Sequence, residues 1–326
     1  MRAWELLWRG CWYCVLVSLL FCAPEKTLFG QSDEARQRLE IGRSLRQEGK
    51  PQEALAWIDH AFRLQPSYEA LLERGKVWFE LEKFDHALAD FTTATQWQPA
   101  KAEGWYLRAR TWWKLGKLEA AESDFYRALE LEPGFERARL DRAEVRRLQG
   151  KLREALRDVD QLIDTAHPPV TAFFVRARIR ADMEDWQGAE SDWNRYLDAV
   201  PAHAEAYVER ARTRRALGDV AGAWQDLEQA VRLAPRLAEA YALRAAISME
   251  HGNPGRAEQE WSAAIACSKS DAAGRYYWGR AQARQTLGRP EEALADLKMA
   301  LRLDPTLARQ LAGSDAAAQQ ETISRP

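Results

Sequence analysis

Apolar residues return along this chain at helical spacing, and the whole arrangement returns every 34 residues. Residues 102–134 show one unit of the pattern. Trp105, Ala109 and Trp112 mark the buried side of a first helix, which Gly116 stops. A second helix starts near Leu118, carries Ala121, Phe125, Ala128 and Leu129 on one face, and ends before Pro133. Alanine holds the Ala121 position at 54, 87, 155, 189, 223, 257 and 293. A second small column runs Gly42, Gly75, Ala109, Ala143, Ala177, Ala211, Ala245 and Ala281; a large apolar column runs Ile58, Phe91, Phe125, Val159, Trp193, Leu227, Trp261 and Leu297. Small residues let paired helices approach closely while one large side chain fills the space beside them. A period of this length predicts an all-α solenoid of antiparallel helix pairs, in which each hairpin buries its apolar face only by stacking on its neighbours.

The frame divides residues 35–307 into eight copies, at about 35–67, 68–101, 102–135, 136–169, 170–203, 204–237, 238–271 and 274–307. The order Trp or Tyr, Arg-Ala or Arg-Gly, Leu-Gly, Ala, Phe, Ala, Pro resembles the tetratricopeptide repeat family. That resemblance implies a right-handed superhelix whose first helices line a concave face where ligands commonly lie. Its chaperone-binding members use a lysine and asparagine clamp on this face; asparagine is absent from the corresponding positions here, so that specificity does not carry over. Leu162 and Tyr196 replace the second alanine in the fourth and fifth copies, and Lys269 stands where the seventh would have its proline.

Arginine recurs at 74, 108, 142, 176, 210, 244 and 280, and an acid follows each by sixteen residues: Asp90, Asp124, Asp158, Asp192, Asp226, Glu260 and Asp296. The first copy lacks both, with Ile41 and Trp57 in their places. Joint presence and joint absence predict a paired arginine–carboxylate contact between helices, within a repeat or across the stack, and not an anion-binding wall.

A ligand surface is expected on the stripe one residue beyond the buried one. There Arg43, Lys76, Arg110, Arg178 and Arg212 form a basic row interrupted by Glu144, with Arg147 and Arg215 a turn further on. Phe79, Tyr106, Trp113 and Phe174 set aromatic area beside it. Aromatic rings with guanidinium groups suit a protein partner, and an acidic segment or a C-terminal carboxylate would fit. The alternative is a solvated charge network closed by Glu69, Glu103, Asp182, Glu205 and Glu239, with Trp113 merely packing on Phe79.

Composition narrows the classes further. Lysine and arginine number 47 against 49 acids, a formal charge of −2 that argues against nucleic acid as an electrostatic partner. The five histidines are scattered, and no metal-ligating, nucleophile or phosphate-loop motif occurs, so neither a catalytic site nor a cofactor or metal is expected. Residues 1–30 fall outside the frame: Arg2 and Arg9 precede an apolar stretch from Cys11 to Ala23. This is the layout of a secretory signal peptide, or alternatively of an uncleaved anchor, and it predicts export to a periplasmic or extracellular address with membrane contact only through that segment. Cys11 and Cys14 read as part of the apolar stretch, not as a redox pair, and a mature chain would keep Cys267 alone. Residues 308–326 are expected to begin as a capping segment and end as a disordered tail. Together these features predict a non-enzymatic protein-binding scaffold of the cell envelope. A self-assembling scaffold using the convex face or the ends, and a binder of anionic glycans, are the alternatives.

Overall fold

A computed structural model of the chain describes residues 25–268 and 273–307. The expected apolar leader up to residue 24, with Cys11, Cys14 and Cys22, lies outside the described residues, as do Lys269 and the segment 308–326. The described residues hold sixteen α-helices and no strand. They fall into two compact units, one ending at Lys151 and the other starting at Leu152. This boundary lies in the turn inside the fourth predicted repeat, a division that the 34-residue frame does not announce.

The first unit contains α1 (Glu25–Gln47), α2 (Pro51–Leu64), α3 (Tyr68–Glu80), α4 (Phe84–Trp97), α5 (Ala102–Lys114), α6 (Leu118–Leu131) and α7 (Glu136–Leu148). The second contains α8 (Leu152–Ile163), α9 (Val170–Asp182), α10 (Trp186–Ala199), α11 (Ala204–Ala216), α12 (Val220–Leu233), α13 (Ala238–Glu250), α14 (Pro254–Cys267), α15 (Gly274–Thr286) and α16 (Pro290–Leu303). Helix α1 begins ten residues before the repeat frame, so residues 25–30 are helical and continuous with the first repeat.

Local chemistry sets these limits. Pro51, Pro254 and Pro290 open helices, where a missing N–H costs nothing. Ser67, Asp185, Asp219 and Asn253 each accept a hydrogen bond from a first-turn amide. Most first helices end on a glycine in the left-handed region, such as Gly116 at φ 72°. Two repeats put a glutamate there instead, Glu82 (φ 58°) and Glu184 (φ 60°). The two small columns and the large one form the core: every alanine of the 54–293 column is buried, and Phe91, Phe125 and Trp193 are almost wholly enclosed. In the first repeats a glycine admits the large residue, since a Cβ on Gly75 would stand 2.5 Å from the Phe91 ring. Trp105 and Trp112, expected as core, are only half-buried. The Trp105 indole N–H donates instead to the Pro99 carbonyl (3.0 Å), and Arg139 and Tyr241, its counterparts, do the same with Pro133 and Pro235.

The arginine ladder is an interlock. In Arg74–Asp90, Arg108–Asp124, Arg176–Asp192, Arg210–Asp226 and Arg280–Asp296, Nε and Nη2 donate to the two carboxylate oxygens at 2.6–2.9 Å. This two-pronged contact joins the helices of one repeat. The remaining Nη1 turns to the preceding repeat and donates to Asp59, Thr95, Asp160, Asn194 or Ser262. Each guanidinium therefore bonds both within its repeat and across the stack. A second column four residues on adds to this: Arg180, Arg214 and Arg284 donate to the same aspartates at 2.8–3.0 Å. Arg146, Arg214 and Arg284 also reach back to Glu122, Glu190 and Glu258, each at 2.8 Å. Arg244 is the exception. Its longer partner Glu260 meets Nη2 at 2.7 Å and leaves the buried Nε without an acceptor.

Candidate protein-binding clefts

The basic and aromatic stripe is divided among several places. In the first unit, Lys76 and Phe79 from α3 and Tyr106 and Arg110 from α5 line one cleft of about 500 Å³. Arg46 and Glu103 also line it, together with Glu80, Phe135 and Arg137, which were not singled out from the sequence. Its charges differ in how firmly they are held. Lys76 is fixed between Glu73 (3.1 Å) and Glu103 (2.9 Å), and Arg46 donates to Glu80 at 2.6 Å. Arg110 lies over the Phe79 and Tyr106 rings, 5.4 and 5.9 Å from their centroids, and its carboxylate neighbour Asp141 is 3.8 Å away. That is an ion pair without a hydrogen bond. Burial pushes the Asp141 carboxyl above its ordinary value, against the pull of Arg110 and a hydrogen bond with Tyr106. Burial first, and then Asp141, pushes the Tyr106 hydroxyl up to about 12.

Tyr106 corrects the expectation of an open aromatic surface. It is 8% exposed, with its ring 5.9 Å from Phe125 and 4.7 Å from Phe135, the residue before α7. Leu39, Leu72 and Val208, which share its place in the stripe, are buried as well. A first helix is covered on two sides, by its own partner and by the next repeat, so the accessible strip is narrower than the helical wheel suggests. A signal for this cover exists in the sequence: Phe135 and His203 stand two periods apart, as do Tyr106 and Phe174, and His203 stacks on Phe174 at 5.5 Å as Phe135 packs on Tyr106.

The other predicted residues lie elsewhere. Trp113 is half-buried against the core around Phe125 and does not line the cleft. Arg43 borders a separate hollow of about 360 Å³ and pairs with Glu40 and Glu73. Arg147 is forked onto Glu144 at 2.9 and 3.1 Å, both side chains largely enclosed. In the second unit, Arg178 lies over the Phe174 ring (5.9 Å), which also packs edge-on against Trp193. Arg212 and Arg215 border a further cleft, where they pair with Glu239 and Glu250. Among the described residues, no group of three His, Cys, Asp or Glu side chains could hold a metal ion, and no helix is long and apolar enough to cross a membrane.

Paired helices in a 34-residue frame, knit in five repeats by a two-pronged arginine, agree with the family comparison. The profile of the tetratricopeptide repeat matches residues 39–97, 72–136, 174–238 and 243–308, together more than half of the chain. The chain belongs to the tetratricopeptide repeat family. No curated protein matches it. Among solved structures it is similar to a tetratricopeptide repeat protein from Parabacteroides merdae, at 19% identity and a TM-score of 0.62, over 82% of this chain and 99% of that one. It is similar also to the Cut9–Hcn1 hetero-tetramer of the APC/C, at 16% identity and a TM-score of 0.61, over 80% of this chain and 48% of that one. PilW, a type IV pilus biogenesis factor, matches at 19% identity and a TM-score of 0.57, over 71% of this chain and 98% of that one. At these identities the likeness is one of fold. A tetratricopeptide array is a protein-interaction scaffold, and its members are generally not catalysts.

Proposed function

We propose that this tetratricopeptide repeat protein is an exported, non-enzymatic scaffold of the cell envelope, and that its first unit binds an acidic segment of a protein partner in the cleft lined by Lys76, Phe79, Tyr106 and Arg110. The observation that carries the reading is Arg110. Its guanidinium lies over aromatic rings at a cleft wall, and Asp141, its ion-pair partner among the described residues, is too far for a hydrogen bond. Such a group is pre-positioned to fork onto an incoming carboxylate, while the Phe79 ring beside it receives apolar area. Arg137, at the same wall, makes no ion pair within 4.0 Å among the described residues and adds a second positive charge. Export rests on the leader-like residues 1–30 and on nothing else.

Titration calorimetry of the full chain against short acidic and basic peptides tests the cleft. Acidic peptides should bind, the affinity should fall with added salt, and Arg110→Glu should weaken it at least tenfold. Equal affinity for Arg110→Glu and the unaltered chain removes the cleft assignment. Fractionation of the source cells tests the address, because an exclusively cytoplasmic chain would end the envelope reading.

A further inference from the structure

We infer a second, independent docking site in the second unit, a slot for one large apolar side chain of an acidic peptide segment. The slot lies between α11, α13, α14 and α15 and encloses about 280 Å³. That is at or below the lower end of the roughly 300–1,000 Å³ of small-molecule sites, and is the space of one or two large side chains.

Its shape comes from a particular run of small residues. Ala242 and Ala246 stand on successive turns of α13, and Gly279 faces them from α15. A Cβ on Gly279 would sit 2.5 Å from the Trp261 indole, so the glycine is what lets this wall lie directly against the ring. Trp278 and Tyr276 supply further walls, the latter 5.9 Å from Trp261 between ring centroids. Aromatic walls around small residues hold a rigid apolar ligand group well, because little side-chain freedom is lost on contact.

The rim decides what kind of segment enters. Arg212, Arg215 and Arg275 face the slot, with Glu239 as the acid among its lining residues. Glu239 is already engaged by Arg212, and Arg215 is engaged by Glu250. Arg275 makes no ion pair among the described residues; it donates to the Tyr276 hydroxyl at 3.0 Å and lies over that ring. An excess of positive charge around an apolar slot is complementary to an aromatic or long aliphatic residue flanked by carboxylates. None of these residues belongs to the cleft around Arg110, so the two sites stand or fall separately.

The test uses the full chain and dye-labelled five-residue peptides followed by fluorescence anisotropy. One peptide carries a central tryptophan between two glutamates on each side; the others replace the tryptophan by alanine or the glutamates by lysines. The tryptophan–glutamate peptide should bind, and both replacements should weaken it at least tenfold. Ala246→Phe, which fills the slot from a half-buried position, and Arg275→Glu, at an exposed one, should each cost at least tenfold as well. Circular dichroism melts of the two variants should match that of the unaltered chain. The same differences between peptides, and the same losses with Ala246→Phe and Arg275→Glu, should persist in an Arg110→Glu background, where the cleft of the first unit is disabled. No binding of the tryptophan–glutamate peptide, equal binding to Ala246→Phe, or disappearance of these differences in the Arg110→Glu background would overturn the assignment.

Discussion

Asp192 is the most enclosed of three aspartates of the second unit that each accept three guanidinium hydrogen bonds, and removing it tests whether the ladder holds the repeats together. It accepts from Arg176 Nε and Nη2 and from Arg180 Nη1, all at 2.8 Å, with its side chain 1% exposed. Asp192→Ala leaves two enclosed guanidinium groups short of an acceptor. Breaking a buried pair in this way costs about 3–5 kcal/mol. Arg176 keeps Asp160 (3.0 Å) and Arg180 keeps the Gly188 carbonyl (3.2 Å), so the lower end of that range, about 3 kcal/mol, is expected. Asp192→Asn retains one acceptor oxygen and should lose about half as much. The exposed pair Arg212–Glu239 serves as the contrast, since Glu239→Ala should cost no more than about 1 kcal/mol.

Urea unfolding followed by far-ultraviolet circular dichroism measures these losses. A loss of this size is a large share of a domain's roughly 5–15 kcal/mol. Because each repeat touches only its neighbours, the loss should be local, and amide exchange should accelerate first in α9 and α10. A cost for Asp192→Ala below about 1 kcal/mol, equal to that of Glu239→Ala, would refute the view that these bonds lock the stack.

Three further outcomes follow from single features. Glu184→Gly should raise stability by about 1 kcal/mol, because a left-handed backbone strains a residue with a Cβ; an unchanged or lowered urea midpoint would count against it. Glu260→Asp should restore the two-pronged contact and give the buried Arg244 Nε its acceptor, a gain of about 1 kcal/mol by the same measurement; a loss would show that the helices there are spaced for the longer side chain. Burial raises the Glu122 carboxyl, but Lys151 and Arg146 outweigh it and hold it below its ordinary value. The stability this adds is present above that ordinary value, near 4.5, and disappears as pH falls through the lowered one. The stability gap between the unaltered chain and Glu122→Gln should therefore be widest near neutrality and close under acid, and a gap independent of pH would refute the assignment.

The sequence carried the fold because the period is a physical requirement: helices stacked at a constant distance need small residues at constant intervals. It carried Arg74–Asp90 and its counterparts because both partners vanish together in the first repeat, at Ile41 and Trp57. What it did not carry was the third guanidinium nitrogen. Asp59, Asp160, Asn194 and Ser262 share one place in the frame but not one residue type, so no column of identical letters marks the acceptor. The candidate cleft was legible in half. Lys76, Phe79 and Arg110 follow from helical spacing, but Tyr106 is buried by Phe135 from the following turn, and contacts across a turn have no helical period.

The second arginine column shows how one frame admits more than one kind of joint. Where a repeat has glutamate directly after its first small residue, as at Glu122, Glu190 and Glu258, the next repeat supplies Arg146, Arg214 or Arg284 to meet it. Where that position is Leu55 or Leu88, the corresponding residue one repeat on is Trp78 or Trp112. At Leu156 the residue one repeat on is Arg180, which turns to Asp192 (2.8 Å) and the Gly188 carbonyl (3.2 Å) of its own repeat, and at Trp224 it is Ser248. The joints therefore differ in chemistry, and the repeats are not interchangeable despite their common period. The last described helix makes the same point from one side. At the place of Asp160, Asn194 and Ser262, α16 carries Lys298, which would meet the arginine of a repeat stacked in this register with a like charge. The exposed Leu294 on the same helix stands where Glu258 receives Arg284 and Arg289. Asp296 on α16 closes the ladder within the last repeat, while the acceptors that Asp160, Asn194, Ser262 and Glu258 offer to a following repeat are absent from it.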